Sequence, residues 1–368
     1  MESPTDQIFE NYISPDNLTD LPSSAGLVLF TDNQNLPILL LSAANIRRAA
    51  KTKLAERAEK TKKADLKSIT AKIYYKTCPC KFRLSIEHYK AAKLIFASNY
   101  KDHIIFVYPW FIKADLNNKI PFFSITPKPS FNNGEKTLGP FTSQKSASGF
   151  LNALEDAFKL CRRNDLVHNP QHASGCPYLQ MDACCGVCSG KISPDEYKNI
   201  MNDAFGTGAE PAKTIENLRT DMQTASKELN FEKAAELKRK IEKLSALKNP
   251  SYKWTADLEK LKIVHIDKAG KIKPQNSKKK IQTHAVFVMN FFEIIDLGNF
   301  LIDDKDKIYE AIQNALNKLN GPQESGGTEI LERFAIISYF LYRSKPAGLW
   351  LKADEYLNRH NLLSLKDI

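Results

Sequence analysis

The chain has 368 residues, with 53 Lys and Arg against 42 Asp and Glu for a formal net charge of +11, and 42% of it is hydrophobic. That balance suits two or three soluble domains with at least one substantial core, and it excludes a single small disulfide-stapled scaffold. The start, MESPTDQIFE, has neither the basic nor the apolar region of a secretory signal, and the longest apolar runs fall short of the roughly 18 to 20 residues of a membrane span. A cytoplasmic protein with no membrane partner is expected, and the positive surplus suits a polyanion such as nucleic acid.

Residues 26 to 41, GLVLFTDNQNLPILLL, read as two apolar strands around a polar Asp32-Asn33-Gln34-Asn35 turn, which is a β-hairpin signal. A basic helical segment follows. From Asn45 to Ser68 there are nine basic residues, Arg47, Arg48, Lys51 and Lys53 first among them, against three acids. Such a face can track phosphates, or it can simply be a solvated helix.

Between Pro121 and Gly139 the text PFFSITPKPSFNNGEKTLG reads as a strand and an exposed connector, with a domain boundary expected there. Ser143 to Leu160 returns to helical periodicity, with Phe150, Leu151, Leu154 and Phe158 apolar, and delivers the chain to Cys161. Residues 212 to 248 carry the clearest helical signal. Leu218, Met222, Ala225 and Leu229 step by 4, 3 and 4, and Ala234, Leu237, Ile241 and Leu244 by 3, 4 and 3. The break at Asn230 makes this an antiparallel helical hairpin. Beyond Asn249-Pro250 come strands (LKIVHID, then THAVFVMNFFEIIDLG) separated by a Lys-rich turn, and two amphipathic helices near 304–319 and 329–342, a compact α+β unit.

Five of the seven cysteines fall between Cys161 and Cys188, in the pattern Cys161-x14-Cys176-x7-Cys184-x3-Cys188 with Cys185 beside Cys184. In a reducing compartment this density points to a metal rather than to disulfides. Four thiolates suit an iron–sulfur cluster or tetrahedral Zn2+ equally, and His168 or His172 in the first interval could replace a thiolate at a zinc site. Cys78 and Cys80 form only a Cys-x-Cys pair and are read as unliganded.

The run LGPF at Leu138 to Phe141, a helix, Cys161 and then GCPYLQMDACCGVCSGKISPDEY from Gly175 to Tyr197 resemble the cysteine segment of the UvrC family of bacterial nucleotide excision repair. The resemblance implies a [4Fe-4S] cluster on Cys161, Cys176, Cys184 and Cys188, with Zn2+ as the alternative. The next stretch, LRTDMQTASKELNFEKAAELKRKIEKL, is similar to the UVR motif, with Met222, Ala225, Phe231, Glu232, Ala234, Ala235, Lys238 and Ile241 on its pattern. The family pairs this hairpin with a similar one on UvrB. That implies Met222, Phe231, Glu232, Ala235 and Lys238 as the partner-binding set, with Phe231 the anchor, since two short amphipathic helices cannot bury an apolar face alone. The rival reading packs these apolar residues inside the chain itself.

The N-terminal hairpin resembles the family's GIY-YIG nuclease, with Gly26, Asp32, Ile38, Ala43 and Ile46 in place. The positions of its tyrosines, lysine, arginine and metal-binding glutamate correspond here to Val28, Leu39, Ser42, Ala49 or Arg48, and Ala97. A phosphodiester needs an activated nucleophile and a cation on the developing charge, and Val, Leu and Ala supply neither. No catalytic residue is therefore assigned, and Glu87 is the one displaced carboxylate that could serve.

The resulting expectation is a multidomain α+β protein similar to short Cho-type members of the UvrC family. A degenerate GIY-YIG domain is expected over 1–120, the cysteine cluster domain over 136–206, the UVR hairpin over 207–248 and an α+β domain without an assigned role over 249–368, where neither a second nuclease's acidic triad nor a hairpin-helix glycine signature is found. The expected function is a nuclease-silent excision-repair protein binding UvrB or a UVR-like partner, and DNA through Arg47, Arg48, Lys51 and Lys53. The alternatives are an incision endonuclease with a relocated active site and a UVR-containing stress adaptor with a zinc site.

Overall fold

The computed structural model describes residues 4–55, 65–163, 165, 175–273, 279–301, 303–319, 321 and 327–359. Its strands form three antiparallel four-stranded sheets. His168 and His172 lie outside the described residues, as do Arg57, Lys60, Lys62 and Lys63 of the basic run.

In the first sheet β2 (Gly26–Thr31) pairs with β3 (Pro37–Ala43) and β4 (Lys72–Thr77), and β1 (Asn11–Ile13) adds to β4. Every residue of β2 is buried, because helices cover both faces of this inner strand, so its sequence is a continuous apolar run rather than an alternation. Helix α1 (Ile46–Ala55) covers Val28 and Phe30 with Ile46, Ala50 and Leu54. Helix α2 (Lys81–Phe96) covers Leu27 and Leu29 with Leu84, Ala91 and Ala92. The expected hairpin turn is closed by Asp32, whose Oδ1 accepts from the backbone N–H groups of Gln34 and Leu36 at 2.9 and 2.8 Å, with Asn35 left-handed at φ 61°. Gly26 is a close-approach position: a Cβ there would lie 2.1 Å from the Lys76 carbonyl oxygen.

The second sheet contains β5 (Trp110–Asp115), β6 (Phe123–Thr126), β7 (Glu135–Phe141) and the short β8 (Ala256–Asp257). Here the expected boundary between Pro121 and Gly139 is corrected. Residues 116–134 connect strands of one sheet, with β6 and β7 hydrogen-bonded to opposite edges of β5. Local composition reads the Pro, Asn and Gly of this stretch as a linker, whereas long-range pairing to β5 makes it internal to a unit. Helix α3 (Gln144–Phe158) lays Phe150, Leu151 and Leu154 on this sheet, and α4 (Pro194–Ala209) packs beside it.

The hairpin helices α5 (Pro211–Lys227) and α6 (Phe231–Leu244) follow as the spacing predicts. The third sheet is a meander of β9 (Ile263–Ile272), β10 (Ile281–Met289) and β11 (Ile294–Leu301), closed by β12 (Leu349–Lys352) on the free edge of β9. Helices α7 (Lys305–Lys318) and α9 (Ala353–Arg359) cover one face, and α8 (Gly327–Leu341) contributes to the core on the other.

Helix α2 joins the first and third sheets. While Leu84 and Ala91 face the first sheet, Phe82 and Ile86 enter the core of the third, and the Phe82 ring meets His265, Phe287, Phe340 and Trp350 edge-on at 5.0–5.4 Å. Such T-shaped contacts use the positive ring edge against neighbouring π faces. Arg83 clamps Asp296 of β11 with two hydrogen bonds of 2.6 and 2.7 Å, a bidentate geometry that fixes orientation as well as distance.

Candidate functional site

The cysteine loop is built outward from α3 and α4. Helix α3 stops at Lys159, left-handed at φ 49°, and the chain turns inward through the buried Leu160 and Cys161. Helix α4 starts with a capping box, Ser193 Oγ accepting from the Glu196 N–H and the Glu196 carboxylate accepting from the Ser193 N–H at 2.8 Å, with Pro194 in the first turn. That start places Tyr197, fully buried, with its hydroxyl accepting from the Cys161 N–H at 3.2 Å. The Ser-x-x-x-Tyr spacing therefore has a physical task, which is to brace the first cysteine from the next helix. Gly186 and Gly190, both left-handed, bracket the tight turn that carries Cys188, and the Cys185 N–H donates to the Lys159 carbonyl at 2.8 Å.

Cys161, Cys176, Cys184 and Cys188 are all buried, whereas Cys185 is only half-buried, so the thiol set apart by spacing is also set apart by exposure. All seven cysteines are free thiols. Burial pushes the Cys161 thiol up to about 12, with the negative charge of Cys188, Cys184 and Cys185 adding to the rise. Burial likewise raises Cys188, helped by Cys184 and Cys176. The thiols thus lie within one another's electrostatic reach. Four buried thiolates repel one another unless a cation neutralises them, and thiolate is the donor type that both iron–sulfur clusters and zinc prefer; among the described residues no three of these sulfurs lie within 4.8 Å of one another.

The hairpin divides into two parts. At its base Ile215, Ile241 and Leu244 are buried against the second sheet, with Leu218 and Met222 packed beside them, and Lys240 lies 3.9 Å from the Phe158 ring centroid. At its tip Leu229 and Phe231 are 73% and 65% exposed. The turn is made by Leu229 in the left-handed region and by Asn230, whose side chain accepts from the Lys233 N–H to cap α6. Of the five partner-binding candidates, Phe231, Glu232 and Lys238 are exposed, Ala235 is half-buried, and Met222 faces the chain's own core. The rival in-chain packing therefore describes the base and not the tip.

On the N-terminal unit, Val28 is wholly buried under α1 and Leu39 is half-buried in the same cluster. Ser42, Asn45, Arg48, Ala49 and Lys53 line a shallow cavity of about 330 Å3 between β3 and α1. Of the basic candidates, Arg48 and Lys51 are exposed and Lys53 is half-buried, but Arg47 turns inward, its Nε donating to the Leu21 carbonyl at 2.6 Å. Ala97 ends α2 with φ 45°. Glu87 faces Lys76 at 2.9 Å and Lys90 at 3.3 Å. Burial alone would raise its carboxyl, but the two lysines hold it below the ordinary range.

Sequence reasoning set Cys80 aside, yet the fold brings it beside His265 and Asp267 in a buried cluster under α2. No spacing rule could find a group whose members lie on α2 and β9, almost two hundred residues apart.

The family model for the UvrC/Cho excinuclease middle domain matches residues 108–207, and that for the UvrB/uvrC motif matches residues 212–247. The first begins just ahead of β5, so the whole second sheet except β8 travels with the cysteines. The chain is similar to the UvrABC system protein C of Wolinella succinogenes, 30% identical over 45% of this chain and 26% of that protein. It is similar to those of Rickettsia bellii, 26% identical over 96% of this chain and 61% of that protein, and Rickettsia felis, 25% identical over 88% and 54%. The chain thus spans between about a quarter and three fifths of the length of these relatives. No solved structure matches it significantly, and no helix among the described residues is long and apolar enough to cross a membrane. A cysteine segment braced from a Ser-x-x-x-Tyr helix and followed at once by a UVR hairpin is the pairing that this chain shares with the UvrC/Cho excinuclease family.

Proposed function

We propose that the chain acts as a nuclease-silent member of its family. It docks on UvrB, or on another protein bearing a UVR hairpin, through the tip of its own hairpin, and it holds DNA on the basic surface around Arg48, Lys51 and Lys53. The observation that carries this reading is the exposure of Phe231 on a hairpin whose Ile215, Leu218, Met222, Ile241 and Leu244 pack against the chain. A large exposed aromatic beside an exposed Leu at a rigid turn is the form of an interface anchor, rimmed here by Glu232 and Lys238.

Silence at the N-terminal unit is supported by the side chains at its motif positions. Val28 sits in the core, Leu39 is apolar, and Glu87 is occupied by two lysines, so none of these three side chains stands ready to activate water or to hold a metal beside a phosphate. Cys161, Cys176, Cys184 and Cys188 would hold a [4Fe-4S] cluster, or Zn2+ in its place. Such a group would supply a rigid cross-link between the ends of α3 and α4, and with them the sheet on which the hairpin stands.

The test is a calorimetric titration of the chain with a peptide spanning the UvrB C-terminal hairpin. Phe231→Ala is expected to weaken binding by more than about 1 kcal/mol, as a buried anchor would. Unchanged affinity on a measurable complex, or no complex at all with UvrB, contradicts the docking assignment.

A further inference from the structure

We propose that Cys80, His265 and Asp267 form a second metal site, for a divalent borderline-soft cation best represented by Zn2+, which staples α2 of the N-terminal unit to β9 of the C-terminal sheet. The proposal is independent of the cysteine segment and of the reading of function above.

The donor atoms of these residues lie within 4.8 Å of one another. Cys80 is 1% exposed, His265 0% and Asp267 8%, so the site is closed to solvent. Zn2+ sits about 2.3 Å from sulfur and about 2.0–2.2 Å from nitrogen and oxygen, which in a tetrahedron separates donors by roughly 3.3–3.8 Å. Cys80 Sγ already stands 3.8 Å from Asp267 Oδ2.

His265 gives the most direct sign of a missing partner. Its Nδ1 lies 3.0 Å from the Leu349 carbonyl oxygen, so Nδ1 carries the proton and Nε2 keeps a free lone pair. Nε2 is buried and has no hydrogen-bond partner among the described residues. The ring cannot swing away, because it stacks on Trp350 at 3.7 Å and meets the edge of Phe82 at 5.3 Å. An imidazole with one nitrogen fixed on a backbone carbonyl and the other bare and buried is oriented as metal-binding histidines are.

The other two donors are prepared in the same sense. Cys80 is the N-cap of a sixteen-residue helix, and its sulfur accepts from the Arg83 N–H at 3.5 Å, which fixes the direction of the side chain. Asp267 Oδ1 accepts from the Lys268 N–H at 2.8 Å, which leaves Oδ2 toward the sulfur. One thiolate, one carboxylate and one neutral imidazole sum to two negative charges, so a bound dication leaves the buried site neutral, the condition for burying charge at low cost.

The experiment measures zinc and iron per chain by mass spectrometry in the full-length protein purified from zinc-supplemented cells, for the unaltered chain and for C80S, H265Q and D267N. Each substitution is expected to lower zinc by about one equivalent while leaving the metal of the Cys161 group unchanged. A chelator should lower the melting temperature of the unaltered protein by more than that of the variants. Equal zinc in all four folded proteins overturns the site. Zinc-edge X-ray absorption of the unaltered protein gives a readout that depends on no variant: nitrogen and oxygen ligands are expected beside sulfur, and zinc held by sulfur alone, or no zinc at all, overturns the proposal.

Discussion

Tyr89, on the helix beneath the first sheet, donates a 2.9 Å hydrogen bond to Glu332, a fully buried carboxylate on α8. Tyr100 donates to the same carboxylate at 2.8 Å, and Lys101 approaches it at 3.1 Å. Two phenols and one ammonium thus satisfy a charge that the core could not otherwise hold. Replacing Glu332 with Ala leaves both phenols unpaired, and about 2–4 kcal/mol of stability should be lost in urea unfolding. The N-terminal and C-terminal units are expected to unfold together in the unaltered chain and to separate into two transitions in the variant. Unchanged stability would show that this network does not lock them.

The two parts of the hairpin should respond oppositely to truncation. Leu244 is fully buried against the second sheet, so Leu244→Ala should cost about 2–5 kcal/mol of folding stability. Phe231 is 65% exposed, so Phe231→Ala should change stability by less than about 0.5 kcal/mol. Thermal or urea denaturation of the isolated chain distinguishes them, and a large loss for Phe231→Ala would place the tip in the fold rather than at an interface.

The cysteines carry a similar internal contrast. If each buried thiol supplies one ligand, serine at Cys161, Cys176, Cys184 or Cys188 should remove the iron of anaerobically purified protein, or about one equivalent of its zinc, while zinc at Cys80 stays bound. Serine at the half-buried Cys185 should leave the metal in place. Metal content with the visible absorption spectrum reads both outcomes, and it also separates an iron–sulfur chromophore from colourless zinc.

Much of this arrangement was legible in the sequence where the information is local. The DNQN turn and the helical steps of the hairpin each act over a few residues, and each is found where its pattern predicts. What the sequence does not show shares a cause. Residues 121–139 have the composition of a linker, and only pairing to β5 makes them part of a sheet. Cys80 stands beside His265 and Asp267, which come from β9. Helix α2 serves two cores with two apolar stripes, and no single periodicity describes it. The Leu21 carbonyl that accepts from Arg47 Nε lies 26 residues earlier in the chain, beyond the reach of a local charge pattern.

Glu155, beside the cysteine loop, gives a pH signature. Burial raises its carboxyl to about 7, with Arg162 opposing the rise and Asp156 adding to it. Between about pH 4.3, the ordinary glutamate value, and pH 7, the folded chain therefore binds a proton that the unfolded chain has released. By linkage, this group lowers stability as pH rises through that window, and its penalty is complete above pH 7. Glu155→Gln should remove the penalty, so its advantage over the unaltered protein should grow from pH 5 to pH 8 in denaturation curves. A difference that stays flat or shrinks contradicts the assignment.

The central claim is that the chain serves excision repair without cutting DNA itself. It is tested most directly by a nicking assay on a lesion-bearing duplex with Mg2+ or Mn2+, using anaerobically purified protein with and without UvrA and UvrB and a complete UvrC as the working control. The account predicts intact duplex in every reaction containing this chain in place of UvrC, while the control nicks. Metal-dependent nicking by this chain that survives in a Val28 or Leu39 variant but is lost in Glu87→Gln would contradict it and assign the chemistry to a displaced active site.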